Sequence, residues 1–234
     1  MEILFEGKSK VIYKGLDEDS LILHYKDTVT AYNGEKTEDI FGKGKLNAAI
    51  SSLIYDYLAK NWVETHVIKQ LAEDRLLVKK AEIVAVEVVV RNLAAGSFSK
   101  KYGIPEGASL KNVALEFCLK DDALGDPMIN LSQITAIGIA TEDELRAISA
   151  RAFRINDLLY PLFEKAGLRL VDFKLEFGRC DGKILLCDEI SPDSCRIWDI
   201  ATDAKLDKDR FRQGLGNLIE SYREVLNRLL AVVD

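Results

Sequence analysis

Residues Leu170 to Arg196 restrict the fold more than any other stretch, because two apolar strands there also carry charge. Val171, Phe173, Leu175 and Phe177 alternate with Asp172, Lys174 and Glu176, which puts the two sets on opposite faces of one strand. Cys180-Asp181-Gly182-Lys183 supplies turn chemistry, since glycine tolerates the positive φ of tight hairpin turns. Ile184 to Cys187 returns as a second strand and delivers Asp188 and Glu189. A two-residue Asp-Gly loop sets Glu176 across from Cys187. A three-residue loop with a left-handed Gly182 sets it across from Asp188, and this second register is the expectation. Two facing carboxylates repel unless a cation lies between them, and a hard cation such as Mg²⁺ takes oxygen ligands together with phosphate oxygens. A solvated outer face of an antiparallel hairpin would have the same pattern.

The 234 residues allow one large domain or two small ones, and 48% hydrophobic content can fill a sizeable core. A net charge of −6 gives no global attraction to nucleic acid or to an acidic membrane. MEILFEGKSK lacks the apolar core of a signal peptide, and no run approaches the ~18 apolar residues of a membrane span. Cys118, Cys180, Cys187 and Cys195 form no CxxC pair, so they read as free thiols of a cytoplasmic protein.

The first thirty residues read as a β-meander with strands at 2–6, 11–13 and 21–25. The turn Gly7-Lys8-Ser9-Lys10 can fold amides and ammonium groups over a polyphosphate, although short Gly-Lys turns are also ordinary hairpins. No GxxxxGK[ST] or GxGxxG occurs, which argues against P-loop and Rossmann sites. Residues 30–44 read as a loop, 45–61 as a core-facing helix, and 65–71 and 75–80 as strands. Ala81 to Val90 reads as a buried central strand in which Glu87 needs a partner. Arg91 and the small residues up to Gly96-Ser97 suit an anion. Residues 98–117 hold Lys100-Lys101 and a loop with Pro105, and 120–127 read as a charged turn. Thr141 and Glu144 form a capping box before a long helix that Gly167 ends. Residues 191–199 read as irregular, and a last helix capped near Asp207 carries Phe211 to Leu229. The class is α+β.

At VEVVVRNLAAGS and LVDFKLEFG the sequence resembles the phosphoribosylaminoimidazole-succinocarboxamide synthase (SAICAR synthetase) family. The resemblance continues through GKSK at 7–10, AYNGEK at 31–36, LVKKAEIV at 77–84, KDDALGDPMIN at 120–130 and DEISPDSCRIWD at 188–199. It departs at Ala85, where the family usually has proline, and at Thr28, where aspartate is common. The resemblance implies an ATP-grasp-like fold of two subdomains, with a kinase-like N-terminal antiparallel sheet. Residues 1–80 would cover ATP, and residues 81–234 would hold the substrate and metal sites.

It also implies an ATP-dependent ligase of purine biosynthesis, joining L-aspartate to the carboxylate of carboxyaminoimidazole ribotide with release of ADP and phosphate. A carboxylate oxygen is a poor leaving group. Its phosphorylation gives an acyl phosphate that an amine can displace, a reaction governed by positioning and charge neutralisation. By the same resemblance Lys8, Lys10 and Lys79 bind the nucleotide. Glu176 and Asp188 bind nucleotide and magnesium, with Glu87 beside the metal and the imidazole. Lys174 neutralises charge on the transferring group or on the substrate carboxylate. Arg91, Ser97 and Arg196 clamp the ribotide phosphate, and Asp193, Lys120 and Asp126 belong to the substrate region. The partners implied are these small molecules, ATP, Mg²⁺ and a second copy of the chain in a dimer. A small-molecule kinase and a non-catalytic nucleotide-binding module share the lysine turn and the acidic hairpin. Neither requires RNLAAGS or SPDSCR.

Overall fold

Two five-stranded antiparallel sheets and a separate two-stranded hairpin take up the strands, and the computed structural model describes residues 2–233. In chain order come β1 (Ile3–Glu6), β2 (Lys10–Lys14), β3 (Ser20–Tyr25), the hairpin β4 (Thr28–Ala31) and β5 (Lys36–Asp39), helix α1 (Lys43–Lys60), β6 (Val67–Ala72) and β7 (Arg75–Lys79). The first sheet has the order β1-β2-β3-β7-β6. Next come β8 (Glu82–Leu93), α2 (Gly96–Tyr102), β9 (Ser109–Leu119), α3 (Leu131–Ala136), α4 (Glu142–Lys165), β10 (Leu168–Cys180), β11 (Lys183–Cys187) and β12 (Cys195–Asp199). The chain ends in α5 (Asp209–Arg212) and α6 (Leu218–Leu230). The second sheet has the order β11-β10-β8-β9, with β12 also paired to β10.

Helix α1 joins the two sheets. Ile50, Ile54, Tyr55 and Leu58 enter the main core with β8, β10 and α4, while Ala48 packs with Leu23, Leu76 and Val78 of the first sheet. Its start is fixed by Asp27, whose carboxylate accepts the N–H groups of Gly42 (3.1 Å) and Gly44 (2.9 Å). Helix α4 begins with the expected capping box, Thr141 and Glu144 each accepting the other's backbone N–H. Its apolar side covers the Phe173, Leu175 and Phe177 face of β10.

Several local expectations are corrected. Residues 30–44 are not one loop: β4 and β5 form a hairpin, because Val29 and Ala31 find cover on Phe211, Leu218 and Tyr222 far along the chain. Residues 109–119 and 195–199 are strands, each paired to one long neighbour. The last helix is two pieces, broken where Gly214 and Gly216 both take φ of 68°. The single alternation through β10 also fails at its start. A register shift between Leu170 and Asp172 turns Leu168 and Leu170 into the main core, while Val171 packs apart with Leu93, Ala95 and Trp198. No helix among the described residues is long and apolar enough to cross a membrane.

Candidate active site

Strand β10 is central, so its charged face meets β8 on one side and β11 and β12 on the other. Glu87 is the residue directly opposite Glu176, and Arg91 is opposite Asp172. Polar side chains that would be exposed on an edge hairpin are thereby gathered on one sheet face. They divide into an acid–lysine end and an arginine end.

At the acid–lysine end, the Lys174 ammonium donates to Glu87 at 2.5 Å and to Glu176 at 3.0 Å. Lys120 reaches Glu176 from the turn after β9, at 2.7 Å. The carboxylate pair that needs a cation between its members is therefore Glu176 with Glu87, and the cation present is Lys174. Asp188 does not face Glu176, contrary to the expected register. Asp181 and Gly182 both take positive φ (51° and 72°), which closes a two-residue turn on the Cys180–Lys183 pair. Two left-handed residues match the right-handed strand twist. Glu176 lies opposite Cys187, and Asp188 follows one residue beyond.

Asp188 still joins the cluster. Lys10, from the Gly7–Lys10 turn, donates to Asp188 and to Glu189, the latter at 2.8 Å. Burial pushes the Asp188 carboxyl up, but Lys10 and Lys174 outweigh it and hold the group well below the ordinary aspartate range. Burial likewise opposes the charge on Lys174, and Glu176, Asp188 and Glu87 more than restore it. Lys8 crosses to Asp122 at 2.8 Å, so both lysines of the turn tie the first sheet to the second half of the chain. Among the described residues no three metal-binding side chains form a ready cage. Glu176 and Glu87 nonetheless offer hard oxygen donors on facing positions, a set that suits Mg²⁺ completed by phosphate oxygens and water.

At the arginine end, almost every donor is engaged. Arg91 is buried; its Nε donates to Glu116, its Nη1 to Asp172 at 2.6 Å, and its Nη2 to the Ser97 hydroxyl at 3.0 Å. Arg196 gives Nε to Asp209 at 2.8 Å and Nη1 to Asp172 at 2.9 Å. Its Nη2 lies 2.4 Å from where a Cβ on Gly96 would stand, and Gly96 has φ of 54°. Only glycine fits there. Two fixed guanidinium forks beside a hydroxyl suit an anion with several equivalent oxygens.

The remaining expected residues lie outside these two clusters. Asp193 is buried between Lys43 (2.7 Å) and the Tyr222 hydroxyl (2.6 Å). Asp126 turns into its own loop and accepts the Asp121 N–H at 3.0 Å. Lys79 is exposed at the end of β7. Sequence reasoning gave no role to Asp172, Glu116, Asp209, Glu189 or Lys43, all buried. Asp172 was visible on the charged face of β10. Glu116 lies in a stretch to which no strand is assigned from the sequence, although Val113, Leu115 and Phe117 alternate around it.

Residues 3–229 match the family model for SAICAR synthetase. The chain belongs to the SAICAR synthetase family. A phosphoribosylaminoimidazole-succinocarboxamide synthase of Lachnoclostridium phytofermentans is 52% identical over 229 residues, covering 98% of this chain and 97% of the relative. The crystal structure of the synthase from Ehrlichia chaffeensis superposes with a TM-score of 0.96 at 45% identity, covering all of both chains. A SAICAR synthetase in complex with ADP is similar at a TM-score of 0.94 and 42% identity, covering 98% of each chain. Members of this family are ligases of purine biosynthesis that join L-aspartate to carboxyaminoimidazole ribotide at the expense of ATP, and the α+β architecture here is theirs.

Proposed function

We propose that ATP binds between the Gly7–Lys10 turn and the acid–lysine end, and that the ribotide lies along the same sheet face with its phosphate at Arg91, Ser97 and Arg196. The observation that carries this reading is the single polar face of β10, with carboxylates and lysines at one end and paired arginines at the other. Lys8, Lys10 and Lys79 hold the nucleotide. Glu176, Asp188 and Glu87 would hold Mg²⁺, which would supply positive charge to offset the charge developing on the transferring phosphoryl group. Lys174, between Glu87 and Glu176, steadies the substrate carboxylate as it is phosphorylated, and the aspartate amine then displaces phosphate. Lys120, Asp126 and Asp193 border the substrate region.

We assign residues 1–80 to the ATP-covering part and 81–234 to the part with the substrate and metal sites. The enzyme works in the cytoplasm as a homodimer. In support, all four cysteines are free thiols, and Ile3, Leu4 and Phe5 are exposed on edge strand β1. Sedimentation giving only the monomer mass would remove the dimer.

ADP release from ATP and Mg²⁺ tests the reaction, with ribotide and L-aspartate added separately and together. Release only with both supports the ligase reading. Release with ribotide alone to a full equivalent, and no product with aspartate, would make the protein a kinase.

A further inference from the structure

The Lys10 side chain, from the N-terminal sheet, meets two adjacent acids of the second half, Asp188 and Glu189. Consecutive residues of an extended chain point to opposite sides. Asp188 escapes that rule because its φ is 63°, in the left-handed region, and the turn of the backbone brings both carboxylates onto one ammonium. Their settings differ. The Asp188 side chain is 22% exposed, whereas that of Glu189 is 5% exposed. Both oxygens of Glu189 are engaged: Oε1 accepts from Lys10 at 2.8 Å and Oε2 accepts the Ser191 hydroxyl at 2.6 Å. Ser191 is itself fully buried, and its Oγ accepts the Asp193 N–H at 3.1 Å.

We infer that Glu189, braced by Ser191, is a positioning residue that holds the Lys10 ammonium beside Asp188, leaving Asp188 able to turn to a ligand. This rests on the reading of Lys10 as a phosphate-binding lysine. A lysine is a point charge on a flexible stem, so it needs an anchor to meet a phosphate reproducibly. If Asp188 were its sole partner, recruitment of Asp188 by a metal would release the ammonium. Glu189 stays behind. The face of the Tyr25 ring lies 5.4 Å from the ammonium and gives it an uncharged floor.

The test is a double-substitution cycle read by calorimetric ADP binding in EDTA, alongside kcat and KM for ATP in the full reaction. Lys10→Met should weaken ADP binding about 10-fold. Glu189→Gln should weaken it to a similar degree and raise KM for ATP more than it lowers kcat. The combined variant should bind no more than about twofold worse than Lys10→Met alone, because Glu189 acts through Lys10. Losses that multiply in the combined variant, or wild-type ADP affinity in Glu189→Gln, would overturn the assignment. If Glu189→Gln does not melt cooperatively, Ser191→Ala replaces it. That variant should bind ADP about threefold more weakly, an effect absent on the Lys10→Met background; an undiminished effect there refutes the inference. Full ADP affinity in Lys10→Met would remove the phosphate role of Lys10 itself. Weak binding in Lys10→Met with normal binding in Glu189→Gln would remove only the positioning role.

Discussion

The two ends of the β10 face use the same charges in opposite ways. At the acid–lysine end, Lys174, Lys120 and Lys10 are shared among Glu87, Glu176, Asp188 and Glu189, and Lys174 and Lys120 are partly exposed. At the arginine end, Arg91 and Arg196 are fixed by Asp172, Glu116 and Asp209, in geometry that uses the guanidinium fork. Ammonium groups can exchange carboxylate for phosphate partners without rebuilding the site, whereas a guanidinium held by several bonds is already oriented. The difference teaches that exchangeable charge lies where charge must move, and that fixed charge lies where a group need only be held.

Substitutions can break this contrast, and Glu176→Gln should do so most strongly. It removes the carboxylate shared by Lys174 and Lys120. Metal-dependent ADP release should fall roughly 100- to 1000-fold while ribotide binding persists. Normal turnover would end the proposed role of Glu176. Next is Arg91→Ala, expected to weaken ribotide binding by ~2–4 kcal/mol, roughly 30- to 1000-fold, with ADP affinity little changed. Arg91→Lys should not restore it, since one ammonium cannot serve Glu116, Asp172 and Ser97 together. Equal losses for ribotide and nucleotide would show that the two ends are not separate.

Gly96→Ala should act more gently on the arginine end. A left-handed alanine costs about 1–2 kcal/mol, and its Cβ would displace Arg196. KM for the ribotide should rise about tenfold, with KM for ATP unmoved, as steady-state kinetics would reveal. The smallest effect belongs to Glu144→Gln, a control outside both ends. Arg179 and Thr141 hold the Glu144 carboxyl down at about 2. A lowered acid stabilises the fold above its ordinary value and loses that contribution as pH falls through the folded one. Wild type should exceed the variant by about 1 kcal/mol at pH 7, since the pair is partly solvated. The gap in thermal stability should close between about pH 4.5 and 2, with ribotide and ADP affinities unaltered at pH 7.

Legibility followed the range of the interactions. The capping box of α4, the apolar stripe of α1 and the strand character of β8 and β10 are set by neighbours a few residues away, and they were readable. The hairpin β4–β5 was not, because its cover comes from α5 and α6. Nor was β9, whose role depends on pairing with β8. The residues later gathered on one face were mostly visible as charged positions in apolar strands, but their partners were not. Glu87 needed a counter-charge on any reading. That the counter-charge is Lys174, and that Lys174 also serves Glu176, is a matter of register between β8 and β10.

The sequence by itself determined the alternation of β10, the two lysines in the first turn, the Arg-to-Ser spacing after β8 and, through its motifs, the family. Those features depend on residue type and short-range spacing, which the chain carries in one dimension. Tertiary structure alone decided that Glu176 faces Glu87 and not Asp188, that Asp172 lies between two arginines, and that Lys10 meets Asp188 and Glu189. Each depends on a strand register or a left-handed backbone residue. A shift of one residue sends a side chain to the other face, and that choice is made by the packing of the whole sheet.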